Sequence, residues 1–133
     1  MISMMRKTGK PKGMTSNMAD TYISFYLRNN RIHVFVDALR GIGSPKYVCF
    51  MISDDGNTLI LSPYGKKDFH SHRVPQDVYQ RIGSLNLTSI RLCQILTAEF
   101  GWDSSKSYRI PGRLDIYKKI VVFDLRFAST IRE

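Results

Sequence analysis

The sequence is poor in everything that staples or anchors a chain. It has only two cysteines. Cys49 and Cys93 each sit in an apolar stretch, which fits reduced core thiols better than a disulfide framework or a four-ligand zinc site. Long apolar runs are missing as well. Stretches such as Val48 to Ile52 and Ile120 to Phe123 fall far below the roughly 18 to 20 residues a membrane span needs, and no signal-peptide core follows the N-terminus. The expected location is cytoplasmic. Acids are scarce, with 11 Asp+Glu against 20 Lys+Arg, and among so few no paired carboxylates and no Ser/His/Asp arrangement stand out. Gly41-Ile42-Gly43 lacks the third glycine and the strand-to-long-helix setting of a phosphate loop. A dinucleotide-dependent or acyl-transfer enzyme is therefore disfavoured, no cofactor is expected, and the chain reads as non-enzymatic.

What is present is a globular composition with an excess of positive charge. A hydrophobic content of 43% with 11% aromatics supplies one packed core, and 133 residues suffice for one domain but not two. The formal net charge of +9 points to an anionic partner, most commonly nucleic acid. Part of that charge is peripheral. Residues 1–17 contain Arg6, Lys7, Lys10 and Lys12, no acid and almost nothing to bury, so they read as a disordered basic tail. Met18-Ala19-Asp20 looks like a natural translation start, which makes the upstream stretch an extended gene start or an expression scar. Without those four cations, 16 Lys+Arg face 11 Asp+Glu, and residues 18–133 form a single α+β domain of modest positive charge.

Periodicity predicts the elements. Ile23, Phe25 and Leu27 alternate with Tyr22, Ser24 and Tyr26, and Ile32, Val34 and Val36 alternate again after Asn29-Asn30, so Thr21 to Asp37 reads as a tight hairpin. Ala38 to Gly43 is one helical turn and a loop. Lys46 to Ser53, the turn Asp54-Asp55-Gly56-Asn57 and Thr58 to Ser62 make a second hairpin. Tyr64 to Arg73 is a polar, basic loop or short edge strand. Pro75 to Gly83 is a short helix, and Leu87 to Phe100, capped by Asn86 or Thr88 and closed by Gly101, is the main amphipathic helix. Lys106 to Ile110 and Ile116 to Phe127 complete a third hairpin. The expected fold is α+β: mainly antiparallel hairpins packed on one amphipathic helix, with a short second helix.

Basic residues recur beside aromatics at Tyr26-Leu27-Arg28, Lys66-Lys67, Phe69 to Arg73, Tyr108-Arg109, Arg113 and Tyr117-Lys118-Lys119. Cations neutralise phosphates while Tyr, His and Arg planes stack on unpaired bases, so these residues make a nucleic-acid surface if they share a face. His70 and His72, with His33 or Asp68 as a third ligand, offer an incomplete metal set; a solvated loop is the expected state and no metal is assigned. The same histidines with Arg73 and Tyr79 are the acid, base and phosphate clamp that a small RelE-like ribonuclease toxin requires. Trp102 and Cys93 are expected to pack.

The run Asn30-Arg31-Ile32-His33-Val34-Phe35-Val36-Asp37-Ala38-Leu39-Arg40-Gly41-Ile42-Gly43, followed by Val48 to Ile52, the acidic turn and Leu59-Ile60-Leu61, resembles the AbrB/MazE-type swapped-hairpin DNA-binding module. The family's Ile-Pro is replaced by Val34-Phe35 or Phe35-Val36, its Gly-Asp by Pro45-Lys46, and two-thirds of the chain lies outside the module. The resemblance implies a homodimer of interleaved hairpins with Arg31 and Arg40 facing DNA and Lys46 near the following loop. The basic loop extends that surface, so the expected contacts are Arg31, Arg40, Lys46, Lys66, Lys67 and Arg73. The expected function is a non-enzymatic, DNA-binding accessory or regulatory protein, a homodimer on duplex DNA. The rival readings are a phage or mobile-element protein that inhibits a host nucleoprotein such as a CRISPR nuclease, and the ribonuclease.

Overall fold

The computed structural model describes residues 18–80 and 82–131, so the expected basic tail lies outside the described residues. Eleven elements follow in order: β1 (Met18–Tyr26), β2 (Arg31–Phe35), α1 (Val36–Gly41), β3 (Tyr47–Ile52), β4 (Thr58–Pro63), β5 (His72–Arg73), β6 (Ser84–Thr88), α2 (Ile90–Phe100), β7 (Ser107–Asp115), β8 (Ile120–Asp124) and β9 (Ser129–Ile131). Single 3₁₀ turns cover Leu27–Asn29, Gln76–Gln80 and Leu125–Phe127. Among the described residues no helix is long and apolar enough to cross a membrane.

The first two expected hairpins form, and the third forms with other bounds, its expected connection at 111–115 being part of β7 and its turn falling at 116–119; none of them packs as a separate unit on a helix. Strand edges carry unpaired N–H and C=O groups that demand partners, and here the hairpins satisfy one another. All nine strands join one antiparallel sheet in the order β5-β3-β4-β8-β7-β1-β2-β6, with β9 beside β8 on the same edge of β7. The sheet curls into a nearly closed barrel. The expectation of hairpins on an amphipathic helix is corrected accordingly: the sheet is the body, and α2 contributes only Leu92, Cys93 and Leu96 to its core, leaving Ile90 and Ile95 exposed.

The segment that misled the periodicity reading is β6. Leu85 and Leu87 are buried while Asn86 and Thr88 are exposed, a period of two, and the segment pairs with all five residues of β2. The helix therefore starts later than expected. Ser89, not Asn86 or Thr88, is the N-cap, its Oγ accepting the Leu92 N–H at 3.2 Å. Gly101 closes the helix in the left-handed region at φ +64°, where glycine is favoured. The expected helix from Pro75 to Gly83 is reduced to the 3₁₀ turn Gln76–Gln80. At the first hairpin, Asn30 takes the left-handed φ of 53° after the 3₁₀ turn. The acidic turn is held by Asp55, which accepts from the Ser53 hydroxyl at 2.6 Å and the Asn57 N–H at 2.9 Å.

Alternation divides each strand between two faces. The inner face carries Ile23 and Phe25 of β1, Ile32 and Val34 of β2, Val48 of β3, Leu59 and Leu61 of β4, Ile110 of β7 and Phe123 of β8, all buried. Trp102 closes one end, stacked on Tyr108 at 4.5 Å and lying 6.0 Å from both Phe25 and Phe100. Both cysteines are free and buried, and desolvation pushes the Cys93 thiol up to about 11.

Gly112 faces Phe123 across the β7–β8 pair. A Cβ there collides with the Phe123 ring and lies 2.6 Å from the Val122 carbonyl oxygen. Backbone cannot give way as a flexible side-chain tip can, so Gly112→Ala is expected to destabilise by roughly 1–3 kcal/mol or more. The measurement is a urea unfolding midpoint, and a variant as stable as the parent contradicts the packing described.

Candidate nucleic-acid interface

The expected contact residues do not share one face. Arg40 on α1 is engaged: its guanidinium bonds Asp37 at 2.9 Å and donates to the Tyr79 carbonyl at 2.9 Å. Tyr79 in turn donates its hydroxyl to the Pro45 carbonyl at 2.7 Å, and the Val74 N–H bonds the Lys46 carbonyl at 2.8 Å. Arg40, Lys46 and Arg73 are thereby gathered at the β3–β5 margin, where Tyr47 pairs with Arg73. Lys66 and Lys67 lie in the loop leading to β5 and are exposed. That loop is organised around an acid. Asp68 accepts from the Tyr64 hydroxyl at 3.0 Å and the His70 N–H at 2.8 Å, and Lys66 approaches it at 4.0 Å. Arg31 lies on β2, whose neighbours are β1 and β6 rather than β3 or β5.

The histidines do not form a catalytic group with their expected partners. His72 pairs with Val48 and turns inward, its ring 5.5 Å from Phe50, whereas Arg73 points to the other face of the strand. The Tyr79 phenol is committed to Pro45, and burial pushes it up to about 12. His33 is on the outer face of β2, and among the described residues no three His, Cys, Asp or Glu side chains come together as a metal site.

The surface that the fold does assemble is the outer face of β6, β2, β1 and β7. On β1 the residues of this face from position 22 are Tyr22, which is exposed, Ser24, which its neighbours bury, and Tyr26, which is half-buried. In register beside them stand His33 and Arg31 of β2, and Pro111, Arg109 and Ser107 of β7. Asn86 and Thr88 of β6 extend the rows past His33 and Arg31, and Phe35 ends β2 with 39% of its surface exposed. Tyr22 is 43% exposed and carries the Arg109 guanidinium 5.6 Å from its ring centroid, a cation–π contact. Tyr26 packs on the His33 ring at 4.5 Å. Between Tyr22 and Tyr26, and across their neighbours on the flanking strands, no acidic side chain interrupts the rows.

Acids return at one end. Asp20 lies 3.8 Å from Arg113 with both side chains mostly exposed, a pair of little strength in water. Beside it, Asp20, Tyr22, Thr58, Arg113, Val122 and Asp124 border an open concavity of about 430 Å³. Asp124 is held by Arg126 at 2.8 Å, and that hydrogen-bonded pair keeps its carboxyl below the usual range.

Of the expected contacts only Arg31 stands on this surface. Tyr22, His33, Phe35 and Arg109 were missed as a set, although the alternation Tyr22-Ser24-Tyr26 against Ile23-Phe25-Leu27 was the available signal. Register with β7 was the missing link, because nothing local pairs position 24 with position 109.

Two imidazoles make folding sensitive to acid. Desolvation lowers His72 from the ordinary 6.5; at His33 desolvation acts first and the neighbouring Arg31 charge adds to it. His33 Nε2 is also buried without a hydrogen-bond partner. As pH falls through 6.5 the unfolded chain takes up these protons and the folded chain resists, so stability is full above 6.5 and declines below it. Urea midpoints are expected to drop between pH 7 and pH 5, with a smaller drop in His72→Gln. A parent midpoint that is flat over that range contradicts the burial of these rings.

No family model matches this chain, no curated protein matches it and no solved structure matches it, so its residues alone carry the functional reading.

Proposed function

We propose that the protein is a non-enzymatic nucleic-acid-binding factor of the accessory or regulatory kind, with DNA as the first candidate ligand. One observation carries the reading: Arg31 and Arg109 flank Tyr22 and Tyr26 on a single sheet face without an intervening acid. Phosphate neutralisation releases counterions and supplies most of the non-specific affinity, while the aromatic rings add contact surface that a merely solvated basic face lacks. The cations at the β3–β5 margin enter as secondary contacts, since Arg40 and Lys66 are already shared with Asp37 and Asp68.

The swapped-hairpin likeness does not enter this mode of binding. Strands β2 and β4 already use their outer edges on β6 and β8 of the same chain, so no second copy is needed to complete the sheet. A protein-binding role has an observation in its favour as well. Met51, Ile60 and Val122 form an apolar row across the outer face of β3, β4 and β8, with Met51 46% exposed, and such a row suits a protein partner.

The test is a salt series of affinity for a labelled oligonucleotide, measured by anisotropy on the full chain and on an Arg31→Glu/Arg109→Glu variant. The slope of log K against log salt is expected to be negative and to shrink by about 0.7–0.9 for each phosphate contact removed. A flat dependence in the parent overturns the nucleic-acid reading. An unchanged slope in the variant places the contact elsewhere on the chain.

A further inference from the structure

We infer that the ligand of this face is an unpaired nucleic-acid strand, its bases stacking on Tyr22 and Tyr26 and its phosphates held by Arg31 and Arg109. This inference rests on the nucleic-acid reading above and narrows it to one structural class of ligand.

A major groove about 12 Å wide admits one helix or a two-stranded ribbon. Here four strands at roughly 4.8 Å spacing lie side by side, and β7 continues into β8 and β9, so the sheet is too broad to enter a groove. The helices offer no substitute. Helix α1 has six residues, and its one cation, Arg40, is bonded to Asp37. Helix α2 carries one cation, Arg91, balanced by Glu99.

Paired bases bury their π-faces in the duplex stack, so an exposed tyrosine on a sheet gains nothing from them; an unpaired base presents a face to any ring it meets. Tyr22, 43% exposed, and Tyr26, half-buried against the His33 ring, are four residues apart on one strand with Ser24 buried between them, roughly 13 Å at 3.3 Å per residue, a distance that two or three successive bases span. Phe35, 39% exposed, adds a ring at the margin. The Arg109 guanidinium over Tyr22 fixes one cation beside the stacking position, and Arg31 pairs directly with Tyr26 in the β1–β2 register. Each ring therefore has a cation next to it, the arrangement a base and its own phosphate require.

Asn86 and Thr88 on β6 are exposed in the rows of His33 and Arg31. They supply donors and acceptors for the free hydrogen-bonding edges of unpaired bases. At the other end Arg113 and Arg126 are matched by Asp20 and Asp124, so that end offers a phosphate backbone no surplus positive charge and the strand is directed from Tyr22 towards Arg31 rather than onto β8.

The experiment compares affinities of the full chain for oligodeoxythymidylate, oligouridylate and a duplex of the same length at one salt concentration, with Tyr22→Ala, Tyr26→Ala and the matching Phe variants. Either single strand is expected to bind at least tenfold more tightly than the duplex, and the DNA and RNA arms identify which sugar the site takes. Each Ala variant is expected to lose about tenfold on the single strand, in line with stacking energies of roughly 1–3 kcal/mol per base, while the salt slope stays unchanged and the Phe variants keep most of the affinity. Tyr26 is half-buried against His33 and Tyr22 carries Arg109, so thermal melts of both sets of variants identify any loss that comes from misfolding. Salt-dependent binding with equal affinity for duplex and single strand, or with no effect of either Ala variant, overturns this inference and leaves the nucleic-acid reading standing. Absence of binding to all three ligands overturns both.

Discussion

The pairing of β1 with β7 is the contact on which the rest of the molecule depends. Nine residue pairs run in register from Met18–Asp115 to Tyr26–Ser107, joining chain segments more than eighty residues apart. This seam unites the block β5-β3-β4-β8 with the block β2-β6 into one sheet. It also brings Ile23 onto Ile110 in the core and Ser24 beside Arg109 on the opposite face. Because strand side chains alternate, one register fixes both outcomes; a slip of one residue exchanges the core face with the outer face. Gly112 supports the seam from the other side by letting Phe123 lie against β7. Such long-range pairings incur loop-closure entropy before they gain burial, which places the chain among slow-folding β topologies.

The seam also explains why net charge was a weak guide. The formal +9 of the whole sequence includes six cations outside the described residues, four of them in residues 1–17. Of those within them, Arg40, Lys66, Arg113 and Arg126 each lie within 4.0 Å of an acid. What distinguishes the outer face of β2, β1 and β7 is the order of its side chains, in which each ring stands beside a cation. That order comes from interleaving two distant segments, and composition contains no record of it.

Local features were legible in the sequence and non-local ones were not. The first two hairpins, the acidic turn at Asp54 to Asn57 and the left-handed Gly101 after the helix follow from short-range rules, and Trp102 packs as its surroundings implied. The leucines of Ser84–Thr88 were ambiguous: Leu87 reads equally well as the first residue of a helix ending at Phe100, and only pairing with β2 decides for a strand. The single-face question raised by the aromatic and basic residues was sound in form. Its answer fell on Tyr22, Tyr26, Arg31 and Arg109, whereas Lys46, Lys66, Lys67 and Arg73 belong to a different margin. His70 and His72 looked like neighbours by spacing, yet His72 turns inward to Phe50 and leaves His70 in the loop.

The most direct measurement is a map of amide chemical-shift changes in the ¹⁵N-labelled full chain on titration with oligodeoxythymidylate. The account predicts the largest changes at Tyr22 to Tyr26, Arg31 to Phe35 and Ser107 to Pro111, in proportion to bound ligand. Changes confined to Lys46, Lys66, Lys67 and Arg73, with the β1–β2–β7 face unmoved, contradict it.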